Sequence, residues 1–334
     1  MGRSPVRYPL LLGALALVVA LLFTVSLLVG PAALGLGESL QALLAGRGEA
    51  VVLVMREIRL PRAILGLAVG AVLGISGAAL QGFLRNPLAE PGLVGVSSSA
   101  ALGAVIALQT GLAAAFTLAL PLSALAGAAL SVLLILGLAG PRGGALALIL
   151  AGVAISALAA AGVALILNLS PNPFAAMEIV FWMMGSLADR SMSHVALALP
   201  FMIAGTVLLL TLGRGLDALT LGEDAAEALG VRLGRLRLTL ILGTALSVGA
   251  AVAVAGAVGF VGLVVPHILR PLVGARPSRL LPAAALGGAA MLLAADIAVR
   301  VIAPDRDLKL GVLTAIVGSP FFLHLIWRMR RVEA

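Results

Sequence analysis

Residues 63–84, AILGLAVGAVLGISGAALQGFL, form an apolar run interrupted only by Ser76 and Gln81. A helix of this length crosses a hydrocarbon layer of about 30 Å. Lipid offers no water to a stray N–H or C=O, so such a run folds as a helix that satisfies its own backbone. Gly66, Gly70 and Gly74 recur every fourth residue and leave one face bare. No hydrophobic force draws helices together in lipid, and a bare face instead lets backbones approach closely. The polar corner that follows, Arg85-Asn86-Pro87-Leu88-Ala89-Glu90-Pro91, ends the helix, because its two prolines cannot lie in a continuous one. The stretch predicts a tightly packed helical hairpin with a rigid loop at one membrane face.

Similar runs recur at about 9–30, 92–109, 113–139, 144–168, 193–212, 237–256, 259–273, 281–300 and 310–327. Only 11% of residues are charged and 62% are apolar, against roughly 25% charged in a soluble domain. The pattern predicts an all-α, polytopic membrane protein with about ten transmembrane helices. Segment 259–273 is short for a full span and contains Pro266, which leaves two readings open: an eighth span, or a half-helix acceptable only if shielded by protein. An even number of spans places both termini on one side, and the excess of arginine in alternate loops makes that side cytoplasmic. The net charge of +8 therefore belongs to short loops and predicts no nucleic-acid partner. No separate signal peptide is expected before the first run. With no cysteine, there is neither a disulfide framework nor a thiolate metal site.

The first outer loop, 31–62, contains GLGESLQALLAGRGE and is too polar for lipid. Its Arg47, Arg56, Arg59 and Arg62 run against the inward bias of positive charge. A later outer loop, 168–193, is broken by Pro-Asn-Pro, after which 175–184 reads as a short amphipathic helix anchored at the interface by Phe181 and Trp182. In the longest inner loop, 213–237, Glu223 and Asp224 suit a helix start and Gly230 its stop. Asp296 and Arg300 lie four apart and can pair on one face, or Arg300 can face outward. His267 and His324 each lack a second ligand within helical reach, so each caps a span end or touches a partner subunit, and no metal site is expected.

Several of these stretches are similar to one family. RLPR at 59–62, GAALQG at 77–82, NPLAEPGLVGVSS at 86–98 and GFVGLVVPHILR at 259–270 resemble the FecCD family of ABC importer permeases. These are the membrane subunits that import iron-siderophores, haem and vitamin B12. The resemblance runs over nearly the whole chain and implies a single permease domain, 1–334, in the bacterial inner membrane. It makes Arg62, Gln81, Asn86, Pro87, Pro91, Gly92, Pro266, His267 and Arg270 structural motif positions.

The family's coupling sequence has its counterpart here with Asp224 in place of Glu. Leu221, Gly222, Glu223, Asp224, Ala225, Ala226, Glu227, Leu229 and Gly230 would then meet the ATPase. The implied partners are a second copy of the chain, two cytoplasmic ABC ATPase subunits, membrane lipid and a periplasmic or lipid-anchored substrate-binding protein. The binding protein would dock on Arg59 and Arg300, with Arg56 nearby, unless these arginines only anchor span ends by snorkelling. The family builds its pathway mainly from the fifth and tenth spans. Gates would lie near Pro141, Gly143 and Gly144 inside, and around Asn168, Asn172, Met183 and Met184 outside. Two departures stand out: Ser99 replaces the usual glycine of GVSSGA, and Lys309-Leu310-Gly311 replaces a common Glu-Leu-Pro entrance to the last span.

Ion-driven transporters need titratable groups near the midplane, and the span interiors show almost none, Asp296 being the nearest. Lys309 precedes Leu310, so there is no Gly-Lys-Ser/Thr phosphate loop. No catalytic constellation or cofactor site is legible, and the energy for motion is expected from another subunit. The expected function is the permease of an importer moving an iron chelate, siderophore or haem, by alternating access. Cobalamin is the alternative within the family: WMMG, LVVPHILR and ADIAVR are close to the vitamin B12 permeases. An ion-coupled transporter or a membrane-embedded enzyme is a more distant one.

Overall fold

The computed structural model describes residues 8–30, 34–45, 49–116, 118–140, 144–303 and 308–333, and every regular element among them is helical. α1 (Tyr8–Leu28) is followed by two short outer helices, α2 (Leu36–Ala45) and α3 (Glu49–Leu53). A π-helical turn, Val54–Arg59, leads into α4 (Leu60–Phe83), and a 3-10 turn, Pro91–Val94, into α5 (Val96–Gln109). The one-turn α6 (Leu112–Ala115) precedes α7 (Ala119–Ala139), α8 (Ala145–Leu169), α9 (Pro173–Met183) and α10 (Met192–Thr211). Two short inner helices, α11 (Gly213–Leu219) and α12 (Glu223–Ala228), connect to α13 (Leu233–Ala255). The half-length α14 (Val261–Leu269), α15 (Pro277–Ile302) and α16 (Leu310–Glu333) complete the bundle.

Among the described residues, seven helices are long and apolar enough to cross a membrane. The shorter apolar segments Val96–Gln109, Val261–Val273 and Leu310–His324 bring the architecture to the expected all-α, multi-pass form. α4 and α13 form its centre and are the most buried of these helices. α4 lies against α15, α13, α14 and α10. The glycine spacing explains how: a Cβ on Gly70 would strike the Gly288 carbonyl, and one on Gly74 the Ala284 carbonyl, both on α15. One turn on, Gly77 meets the Gly262 carbonyl of α14. Backbones this close gain dispersion contacts that a larger side chain would forbid.

Two expected boundaries change. The outer loop 31–62 is not a loop at its end: Ala50–Phe83 is one continuous helix. The π turn stands just before Pro61, whose missing N–H and bulky ring would break a regular α-helix, and the widened turn lets the helix run on. The run expected as one span from 113 is divided. Phe116 is extended between α6 and α7, and the crossing helix begins at Ala119. Of the two readings of segment 259–273, the structure has the half-helix, nine residues long. Residues 261–266 are all buried, with α4, α15 and α16 around them.

Candidate functional site

At the outer end, two arginines converge on one carboxylate, and a third joins them in bonding the end of α1. Arg62 grips Asp296 through Nε (2.9 Å to Oδ1) and Nη2 (2.8 Å to Oδ1), while Arg300 Nη2 lies 2.9 Å from Oδ2. Asp296 is 1% exposed. Arg300 Nη1 also donates to the carbonyls of Ser26 (2.8 Å) and Val29 (2.7 Å), and Nη2 to Ser26 Oγ. Arg59 Nη1 donates to the carbonyls of Leu27 (3.0 Å) and Leu28 (2.8 Å). These are the carbonyls a helix C-terminus leaves unpaired, and they carry the negative end of its dipole. Two arginines therefore cap α1.

This corrects the expectation that Arg59 and Arg300 face outward as docking charges. Arg59 is 4% exposed, and Arg300's side chain 7%. Arg56, one turn earlier, is half-buried and Glu57 is exposed. The expected pairing of Asp296 with Arg300 is present. Arg62 as its second partner was hidden by a separation of 234 residues. Arg47 lies outside the described residues.

Near mid-bundle, the polar motif residues hold the half-helix α14. Gln81 Nε2 donates to the carbonyls of Gly262 (3.3 Å) and Leu263 (3.4 Å), and its Oε1 accepts from Arg270 Nη2 (2.7 Å). Glu90 lies beside Phe260 at the start of α14, the two lining one small cavity with Leu73 and Gly262. An irregular backbone within a membrane survives only where protein supplies such partners. Asn86 Oδ1 accepts from Leu88 N (2.9 Å), an Asx turn that shapes the corner before Pro91 and Gly92. Pro266 lies within α14, and the His267 ring meets Phe321 of α16 edge-on at 5.8 Å.

The outer turn after α9 is stitched to two other elements. Leu310 N donates to the Gly185 carbonyl (2.9 Å), Gly311 N to the Met184 carbonyl (3.1 Å), and Ser186 N to the Ala255 carbonyl (2.8 Å). A Cβ at 311 would collide with the Met184 carbonyl, which accounts for glycine in this chain's Lys309-Leu310-Gly311 entrance. Asn172 caps α9 by accepting from Phe174 N (3.0 Å), Asn168 is exposed, and Met183 packs with Val105, Val163 and Ile179. Helix α9 is not amphipathic as expected, since its exposed side is apolar apart from Glu178, with Phe174 81% and Met177 54% exposed. Beyond it, burial lowers the Arg190 guanidinium from its ordinary range, against the opposing charge of Asp189. Gly144 stands exposed at the start of α8, while Pro141 and Gly143 lie outside the described residues.

At the inner end, α12 forms the expected short helix. Glu223 and Asp224 occupy its first turn, and Gly222 (φ 108°) and Gly230 (φ 85°) bend the chain at either end. Ala226 is buried beneath it, whereas Leu221 (69%) and Leu229 (65%) project. Glu227 is exposed and Ala225 is half-buried. The preceding α11 is tied to α15: Asp217 accepts from Ser278 N (2.8 Å) and Ser278 Oγ (2.6 Å). Sequence reasoning missed this link, although a serine after Pro277 at a helix start was a visible signal. The result is a projecting apolar-and-acidic knob fixed to a spanning helix.

Comparison with known proteins agrees with this architecture. The model of the FecCD transport family matches residues 17–328. The cobalamin import system permease protein BtuC of Halobacterium salinarum is 41% identical over 292 residues, covering 86% of this chain and 77% of its own. The hemin transport system permease protein HmuU of Yersinia pestis is 40% identical over 281 residues, covering 82% and 83%. A solved structure described as a metal-chelate type ABC transporter in an inward-facing conformation superposes with a TM-score of 0.85 at 33% identity, covering 96% of this chain and 99% of that one. The chain belongs to the FecCD transport family, as a multi-pass ABC transporter permease and not the catalytic subunit.

Proposed function

We propose that this FecCD permease imports an iron chelate, siderophore or haem, across the bacterial inner membrane as a homodimer driven by two ATPase subunits. The observation that carries the coupling is α12. It projects Leu221 and Leu229 beside Glu223, Asp224 and Glu227, and it is joined through α11 and Asp217 to α15. Closure of the ATPase pair on ATP would push this knob and tilt the spanning helices to which it is tied. α8 and α16 would line the path between two copies. α8 suits this role, because it leaves Leu150, Leu158, Leu165 and Asn168 exposed. Such a wall holds a bulky chelate loosely and releases it, with selection left to a binding protein docked on the outer face around Arg56. Differential affinity for the two open states then sets direction.

The substrate class rests on the metal-chelate and haemin systems named above, and cobalamin is the second reading because a cobalamin permease is equally similar. Uptake of labelled ferric siderophore, haem and cobalamin, compared side by side in a strain lacking this chain, tests it. Loss of an iron source alone supports the iron-chelate reading. Loss of cobalamin alone replaces it with the second.

A further inference from the structure

We propose that a cleft at the inner membrane boundary, between the end of α10 and the start of α13, binds the phosphate headgroup of an anionic phospholipid. The cleft encloses about 470 Å³ and is walled by Thr211, Arg232, Arg235 and Thr239, with Leu212 and Leu236 beneath. Arg232 and Arg235 are exposed, and with Thr239 they make no hydrogen bond or ion pair among the described residues. Arg235 also sits in the first turn of α13, which contains no acidic residue. A helix N-terminus carries partial positive charge, so a cation there is unfavourable until an anion joins it. Two guanidinium forks and the Thr239 hydroxyl lining one cleft match a phosphodiester.

Depth and continuity favour a lipid over a free anion. Thr211 ends the spanning helix α10, so the cleft stands at headgroup level. Toward the bilayer interior, Val207 and Leu210 of α10 and Leu238 and Leu242 of α13 remain exposed. They offer acyl chains an apolar track. Basic pockets between spanning helices on the cytoplasmic side are a recurrent form of headgroup recognition. Gly230, at the end of α12, forms part of the same wall, so a bound lipid would touch the projecting knob. The site itself does not depend on the transport reading.

The test is native mass spectrometry of the full-length chain in mild detergent, titrated with phosphatidylglycerol or with phosphatidylcholine of the same acyl chains. The wild type is expected to prefer phosphatidylglycerol. Replacing both arginines (R232Q with R235Q) should weaken that adduct about thirtyfold and leave phosphatidylcholine unchanged. R232K with R235K should restore most of it. R276Q with R279Q, which removes equal charge elsewhere on the inner face, should not reproduce the loss. If the double glutamine variant does not fold, R235Q alone is read the same way. An equal loss in the control pair, or no lipid preference in the wild type, overturns the site. Displacement of the lipid by millimolar inorganic phosphate overturns it in favour of a free-anion site. An unchanged lipid adduct with failure to copurify the ATPase overturns it by assigning the arginines to subunit docking.

Discussion

Arg62 and Asp296, on different helices and 234 residues apart, form a forked ion pair at the outer end of the bundle. The pair has company: Arg300 completes the carboxylate's coordination and, with Arg59, caps α1. The outer arginines thus join α1, α4 and α15 into one unit. Removing Asp296 leaves two guanidinium groups in a poorly hydrated place. D296N is expected to cost about 3–5 kcal/mol, read as a fall in thermal midpoint in detergent. E178Q, on an exposed carboxylate of α9, should shift the midpoint little.

The capping role separates Arg59 and Arg300 from Arg56. R59A and R300A should lower thermal stability and raise hydrogen exchange at the C-terminal turn of α1. R56E should weaken binding-protein docking in a salt-dependent way, since solvent-facing pairs are screened over about 8–10 Å. Docking by R56E that matches the wild type at low salt would remove Arg56 from the docking surface.

Close approach of α4 to α15 makes Gly74 intolerant of even one methyl group. G74A should sharply reduce folded yield, because the added Cβ would fall on the Ala284 carbonyl. G137A on α7, where nothing lies within 4 Å, should be neutral or stabilising by up to about 1 kcal/mol. Equal yields of the two variants would refute the packing argument.

Much of this was legible in the sequence. The four-residue glycine spacing announced a helix contact, and EDAAEALG announced a short capped helix, because both signals are local. Arg62 with Asp296 and Asp217 with Ser278 were not legible as pairs, since each joins distant segments that only the fold brings together. Nor was the continuous helix through Pro61: proline ordinarily marks a boundary, and the π turn that accommodates it has no sequence signature here. Glu90 read as part of a polar corner, whereas the fold carries it to the start of α14 in the bundle interior.

The Asp217–Ser278 contact makes a separate prediction for coupling. The carboxylate acts as a cap supplied from another helix, satisfying an N–H in the first turn of α15. D217A should destabilise the fold by about 1–2 kcal/mol and reduce transport per ATP hydrolysed. S278A, which spares the backbone bond, should do less of both.

The most direct test of the account is ATP-driven uptake in proteoliposomes holding this chain, its ATPase and its binding protein, with Asp224→Lys and Glu227→Lys in α12. The account predicts that uptake is lost while the permease remains folded with an unchanged thermal midpoint. Wild-type uptake by the charge-reversed protein would contradict it, because the knob would then not transmit the work of ATP.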